Sequence, residues 1–286
     1  MKKICLLLIL AMLFSMTACR KVRPQQTTEP STAPTTATTE ATEEPTVPPT
    51  TVPETTAPTL VTVYIPKEAT MYGPDDTVIA TMTYVFEDGW AEKEEFTATC
   101  ATEIPGQGKL DMNIAYGDKC VITDSFGINK TESYLDEQGR AIRQISMPTN
   151  NTSITKTETT FTYDDHDRVL TREIKTYYTG QTDPVVQNQT FTYTDTDTGS
   201  KGVYTENSSI SYEMTYDKNY RLVANVTIVN GQELSRIENT YDEHGNAVSS
   251  IQYAQGQMVS ETITAYTAVE VSEETAARLP QFVKDK

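Results

Sequence analysis

The chain has 286 residues and a formal net charge of −17, with 40 acidic against 23 basic side chains. That balance excludes a nucleic-acid partner, whose phosphates need clustered Lys and Arg, and it disfavours contact with anionic lipid headgroups. Thr, Val, Ile and Tyr abound from about residue 60 onward and long helical periodicity is absent, so the fold class is all-β.

At the N-terminus, Met1-Lys2-Lys3 precedes an apolar run from Ile4 to Met16. Its 13 residues are too few to span a bilayer, which takes about 20, but they fit a secretory signal core. The run ends in Met16-Thr17-Ala18-Cys19, which resembles the lipobox of bacterial lipoproteins, with Met16 where Leu is preferred. The resemblance implies cleavage of a signal peptide over residues 1–18 and acylation of Cys19, hence a cell-membrane, lipid-anchored, extracytoplasmic location. Losing Lys2 and Lys3 takes the net charge from −17 to −19. Acyl chains are then the expected firm attachment to the membrane.

A stalk follows. Pro24 to Thr59 is almost wholly Thr, Pro, Ala and Glu and has no aromatic residue. It cannot bury enough apolar surface to offset its ordering entropy, and its prolines favour polyproline II. At about 3.1 Å per residue its 36 residues reach on the order of 110 Å. The expected organisation is a lipidated N-terminus and spacer over 19–59, then a β domain over 60–286.

Within that domain one pattern recurs. Tyr241-Asp242-Glu243-His244-Gly245-Asn246-Ala247 has relatives at Tyr163-Asp164 to Val169 and at Tyr216-Asp217 to Leu222. A further copy runs Asp136 to Ile142, with weaker echoes at Tyr84 to Gly89 and at Tyr193-Thr194-Asp195. Tyr134, Tyr163, Tyr193, Tyr216 and Tyr241 are spaced 29, 30, 23 and 25 apart. A fixed period means one supersecondary unit per repeat, each stacked on its neighbours. Asp caps the reversal and Gly, Asn or Asp takes the left-handed position, so each unit reads as a β-hairpin. Alternation puts Ile210, Tyr212, Met214 and Tyr216 on one face, then Leu222, Ala224, Val226 and Ile228 on another. The motif resembles the YD repeats of the RHS family over roughly residues 130–266, which implies a continuous, twisted antiparallel sheet. With no long C-terminal domain to enclose, an enclosing shell and toxin delivery do not carry over. The expected architecture is an antiparallel meander of hairpins forming a curved sheet: open, a small sandwich or a barrel. Ser272-Glu273-Glu274 then opens a short C-terminal helix.

Chemistry-bearing residues are few. Cys100 and Cys120 flank a turn-rich stretch, and pairing centred near residue 110 would set them opposite for a disulfide; two buried thiols are the other reading. Asp195, Asp197 and Glu206 have a spacing similar to an EF-hand loop and are a candidate Ca²⁺ set, although Gly199 and Ser200 depart from that loop and a polar hairpin turn explains them too. Trp90, Tyr177 and Tyr178 are candidates for stacking on a sugar, with core packing as the alternative. His166 and His244 occupy equivalent turn positions, so the repeat accounts for them. No nucleophile elbow, phosphate loop or zinc motif occurs. The leading expectation is a non-catalytic surface module contacting wall polymer, glycan or another protein. A structural scaffold of the envelope is the alternative, and an unrecognised hydrolase a second.

Overall fold

A computed structural model describes residues 59–117, 119–150, 153–207, 209–279 and 282–284. Residues 1–58, with Cys19, the signal peptide and the stalk, lie outside the described residues.

Eighteen strands follow one another: β1 (Leu60–Tyr72), β2 (Val78–Phe86), β3 (Phe96–Ile104), β4 (Gly108–Gly117), β5 (Cys120–Ser125), β6 (Asn129–Leu135), β7 (Ala141–Pro148), β8 (Ile154–Tyr163), β9 (Val169–Tyr178), β10 (Val185–Thr190), β11 (Thr192–Thr196), β12 (Gly199–Asn207), β13 (Ile210–Asp217), β14 (Leu222–Val229), β15 (Gln232–Tyr241), β16 (Ala247–Ala254), β17 (Gln257–Ser272) and β18 (Val283–Lys284). Each strand from β1 to β10 pairs antiparallel with the next, as does each from β11 to β17. Only Phe191 separates β10, held by β9, from β11, held by β12. β1 pairs with β17, so the meander returns on itself as a nearly closed barrel. Closure leaves few free edges to aggregate.

Four of the repeat's reversals carry one extra residue on the outgoing strand, while the one after Tyr193 carries none. Tyr134 faces Arg143 while Leu135 faces Ala141, so Ile142 bulges. Leu170, Val223 and Val248 occupy the same place in later repeats. Leu234 and Val259 bulge after the opposite turns. These bulges explain exposed aliphatics such as Ile142, Leu170, Leu234 and Val259. They also correct the expected alternation in β14. Leu222 stands across from Tyr216, but Ala224 stands across from Thr215, so Val223 splits the stripe and Leu222 does not share a face with Ala224.

Apolar packing is concentrated at one place. β2 pairs only with Glu68–Tyr72 of β1, and at Val63–Tyr64 β18 pairs with β1 instead. Val63 and Ile65, the β2–β4 end with Phe96, Ala98, Ile114 and Tyr116, and Val271 form one cluster there. The short helix α1 (Glu273–Arg278) and the residues after it complete it through Ala276 and Leu279. As expected from sequence, Ser272 caps the helix, its Oγ accepting from the Thr275 N–H at 3.1 Å. Thr275 Oγ1 donates to the Ala91 carbonyl, fixing the helix on the turn after β2.

Candidate functional site

Register divides the side chains into two faces. Met71, Met82, Cys100, Thr102, Ser125, Gln189, Tyr204, Met214, Ser250, Gln252, Ser260 and Thr262 are all buried and share one face, the inner one. The outer face carries ion pairs two residues apart along single strands: Lys130–Glu132, Lys156–Glu158, Lys175–Glu173 and Arg236–Glu238. Such pairs contribute little stability each. Their presence shows that this face meets water.

The inner face is polar but almost uncharged. Thr123, Asn129, Thr131, Ser133, Gln144, Ser146, Thr157 and Thr159 succeed one another across β5–β8. Buried side-chain atoms of Ser125, Ser200, Ser250, Ser260 and Thr262, with Asn225 Oδ1, Asn239 Oδ1 and Gln252 Nε2, find no hydrogen-bond partner among the described residues. Each such group costs roughly 1–3 kcal/mol if left unsatisfied, which makes this interior polar rather than a conventional apolar core.

Besides the arginines that lie over inward tyrosine rings at the rim, charge enters this face at three points among the described residues. Asp195, at the rim, is bound by Arg168. The other two are Arg172 and Glu206, on strands flanking the Phe191 interruption. Arg172 faces Gln189 across the β9–β10 ladder, and its Nε donates to Gln189 Oε1. Burial pulls the guanidinium below its ordinary pKa. Glu206 is the bulged residue of β12, and the bulge turns its carboxylate toward this face. There it accepts from Gln187 Nε2 at 3.0 Å and from the Tyr212 hydroxyl at 3.3 Å. Burial, then the Glu206 charge, pushes the Tyr212 hydroxyl above its usual pKa. Beside this cluster the Phe191 and Tyr204 rings lie 5.3 Å apart, and Tyr204 stacks on Tyr212 at 5.7 Å.

At the rim, the repeat motif makes latches. Asp164 Oδ1 accepts from the N–H groups of His166 and Arg168 at 2.9 and 2.8 Å, and Oδ2 accepts from Arg168 Nε. Asp136 and Asp217 hold Arg140 and Arg221 in the same way, and Asp242 holds Asn246. Each Arg then lies over the tyrosine ring of the next unit: Arg140 over Tyr163, Arg168 over Tyr193, Arg221 over Tyr241. Those hydroxyls donate back to carbonyls of the preceding unit, at Ala141, Val169 and Leu222. Tyr266, absent from the sequence-derived set, does the same to Ala247. His166 stacks on Tyr220 at 3.9 Å and His244 on Tyr64 at 4.4 Å, so both histidines serve ring contacts at this rim.

Several sequence-derived candidates do not come together. Cys100 faces Met112 on the inner side, because the β3–β4 hairpin centres on residue 106 and not 110. Cys120 lies on the outer face opposite Gly117 and Tyr134, and both thiols are free. Asp195 and Asp197 sit at a hairpin where Asp195 faces Ser200, while Glu206 lies six residues further along β12, on the order of 20 Å away. With Asp195 held by Arg168, the three do not form a Ca²⁺ loop, and no group of three or more metal-ligating side chains occurs among the described residues. Trp90 packs against Phe86 and Phe96 at the C-terminal cluster. Tyr177 lies under Lys156 on β9, and Tyr178 follows it on the opposite face, so the three form no strip. Arg172, Gln187, Gln189 and Tyr204 carried no local motif; only strand register brings them beside Glu206. Two open depressions, of about 280 and 300 Å³, lie elsewhere, at Gly199–Asp217 and where β1 parts from β2.

No protein family and no curated protein matches this chain. Solved structures do. A porin-like protein from Bacteroides uniformis is 11% identical with a TM-score of 0.41, over 73% of this chain and 96% of its own. A LolA superfamily protein from Nitrosomonas europaea is 7% identical with a TM-score of 0.26, over 75% and 86%. Neither likeness says what this chain binds.

Proposed function

We propose that this protein is a lipid-anchored extracytoplasmic module, attached through Cys19 and a Thr/Pro spacer, whose barrel binds a glycan without catalysis. One observation carries the ligand: an inner face rich in hydroxyls and carboxamides, nearly free of charge, behind an outer face studded with ion pairs. A face rich in hydroxyls and amides matches a polyhydroxylated molecule better than an apolar one. A charged outer face is unsuited to a lipid-facing band, so the acyl group would hold the protein while the barrel stands in water. No helix among the described residues is long and apolar enough to cross a membrane.

Two measurements test this. Labelling with a palmitate analogue should mark the wild-type chain and not Cys19→Ser, which should also leave the membrane fraction. The lipid-free Cys19→Ser protein should bind a subset of an array of wall polymers and oligosaccharides. Silence across the whole array would remove the glycan reading.

A further inference from the structure

Resting on the glycan reading, we infer that Arg172 is the anion-recognising residue of the barrel and that the ligand is a saccharide bearing a carboxylate. Arg140, Arg143, Arg168, Arg221 and Arg236 each sit in an ion pair with an Asp or Glu. Arg172 does not, among the described residues. Its Nε is fixed by Gln189, which leaves the two Nη nitrogens without a protein acceptor there. A half-buried guanidinium held by one edge presents the other as a fork, the geometry that takes a carboxylate through two parallel hydrogen bonds. In a chain at −17 the general field repels anions, so an acidic ligand needs a local cation outside any ion pair; the Glu206 charge acts on Arg172 from nearby without pairing with it.

The surroundings specify the rest of the ligand. Gln187 lies on β10, and Thr176 and Thr159 are neighbours on the same face, supplying donors and acceptors for ring hydroxyls, while the buried Gln189 holds Arg172. Tyr212 supplies aromatic surface beside them, backed by the buried Tyr204 ring. Glu206 is already occupied by Gln187 and Tyr212, so it orients those two groups while disfavouring excess negative charge. One carboxylate amid hydroxyls satisfies this set; a polyphosphate does not.

Calorimetry on the Cys19→Ser chain decides, using an oligogalacturonide, a neutral oligosaccharide of equal length and a sugar monophosphate. The uronide should bind more tightly than the other two. Arg172→Gln should weaken it at least about tenfold and weaken the neutral sugar far less, as expected for a lost charge-assisted pair. Glu206→Gln should tighten the uronide several-fold, a gain that misfolding cannot imitate. Neutral sugar or sugar phosphate binding as well as the uronide, or uronide binding unmoved by either substitution, overturns the Arg172 assignment and leaves the glycan reading standing. No binding by any saccharide, here and on the array, overturns both.

Discussion

The two halves of the barrel are held by different physics. In β1–β4 and the C-terminal segment, Val63, Phe96, Tyr116, Val271 and Leu279 form a dry apolar cluster in which aromatic rings stack, Phe96 on Tyr116 at 4.6 Å. From β5 to β16 the inner face is largely Ser, Thr, Asn and Gln. Apart from the Phe191–Tyr204–Met214 cluster, that half relies on ladders and on rim latches linking Asp, Arg and the next tyrosine. An element stabilised by packing resists changes of pH and salt, whereas one stabilised by ion-assisted hydrogen bonds does not.

The largest test strikes the packed half. Leu279 is 1% exposed, so Leu279→Ala should cost about 2–5 kcal/mol in denaturant unfolding. A loss below about 1 kcal/mol would mean that the C-terminal segment merely rests on the cluster. In the latched half the sharpest steric test is Gly199. A Cβ there would lie 2.0 Å from the Tyr216 carbonyl oxygen at φ +149, so Gly199→Ala should cost several kcal/mol. Gly202→Ala meets side chains alone, the Tyr193 ring at 2.5 Å and the Met214 methyl at 3.2 Å, and should cost less, with the loss appearing as a loosened Tyr193–Val169 latch.

Acid should separate the halves. Burial alone would raise the Asp164 pKa, but the N–H groups of Arg168 and His166 and the Arg168 guanidinium outweigh it and hold the pKa below its ordinary 3.8. A depressed carboxylate contributes stability that is present above its unfolded pKa and lost as pH falls through the folded one. Hydrogen exchange should therefore open the Asp164 turn before the Phe96–Leu279 cluster as pH drops below about 3.8. Asp164→Asn should flatten part of that dependence. The remainder belongs in part to Glu132 and Glu158, whose pKa values are lowered too. Opening of both halves together would show that the latches carry no separable stability.

The smallest effect concerns the thiols. Reductant should leave the melting temperature unchanged, and a thiol reagent should reach the half-exposed Cys120 before the buried Cys100. A destabilising effect of reductant would restore the disulfide.

Much of the fold was legible in the chain itself. The spacing from Tyr134 to Tyr241 marked the hairpins, Asp136, Asp164, Asp217 and Asp242 marked their reversals, and Ser272 marked the helix, because each acts within a few residues of its own position. Tyr266 was equally legible, one period of 25 residues after Tyr241. The bulges at Ile142, Leu170 and Val223 were not, since an extra residue is visible only when a partner strand is laid beside it. For the same reason the reading that sets Cys100 opposite Cys120, one of two the sequence left open, fails on register.

What the sequence determined alone is therefore local and periodic: an all-β chain, its turns, its repeat length, its helix cap, and the lipobox and spacer expected to precede them. Tertiary structure decided closure of the meander through β1 and β17, which side chains face inward, and the meeting of Arg172, Gln189 and Glu206 across three strands. Those outcomes depend on register between segments far apart in the chain, and side-chain alternation of period two reverses its meaning with every single-residue slip.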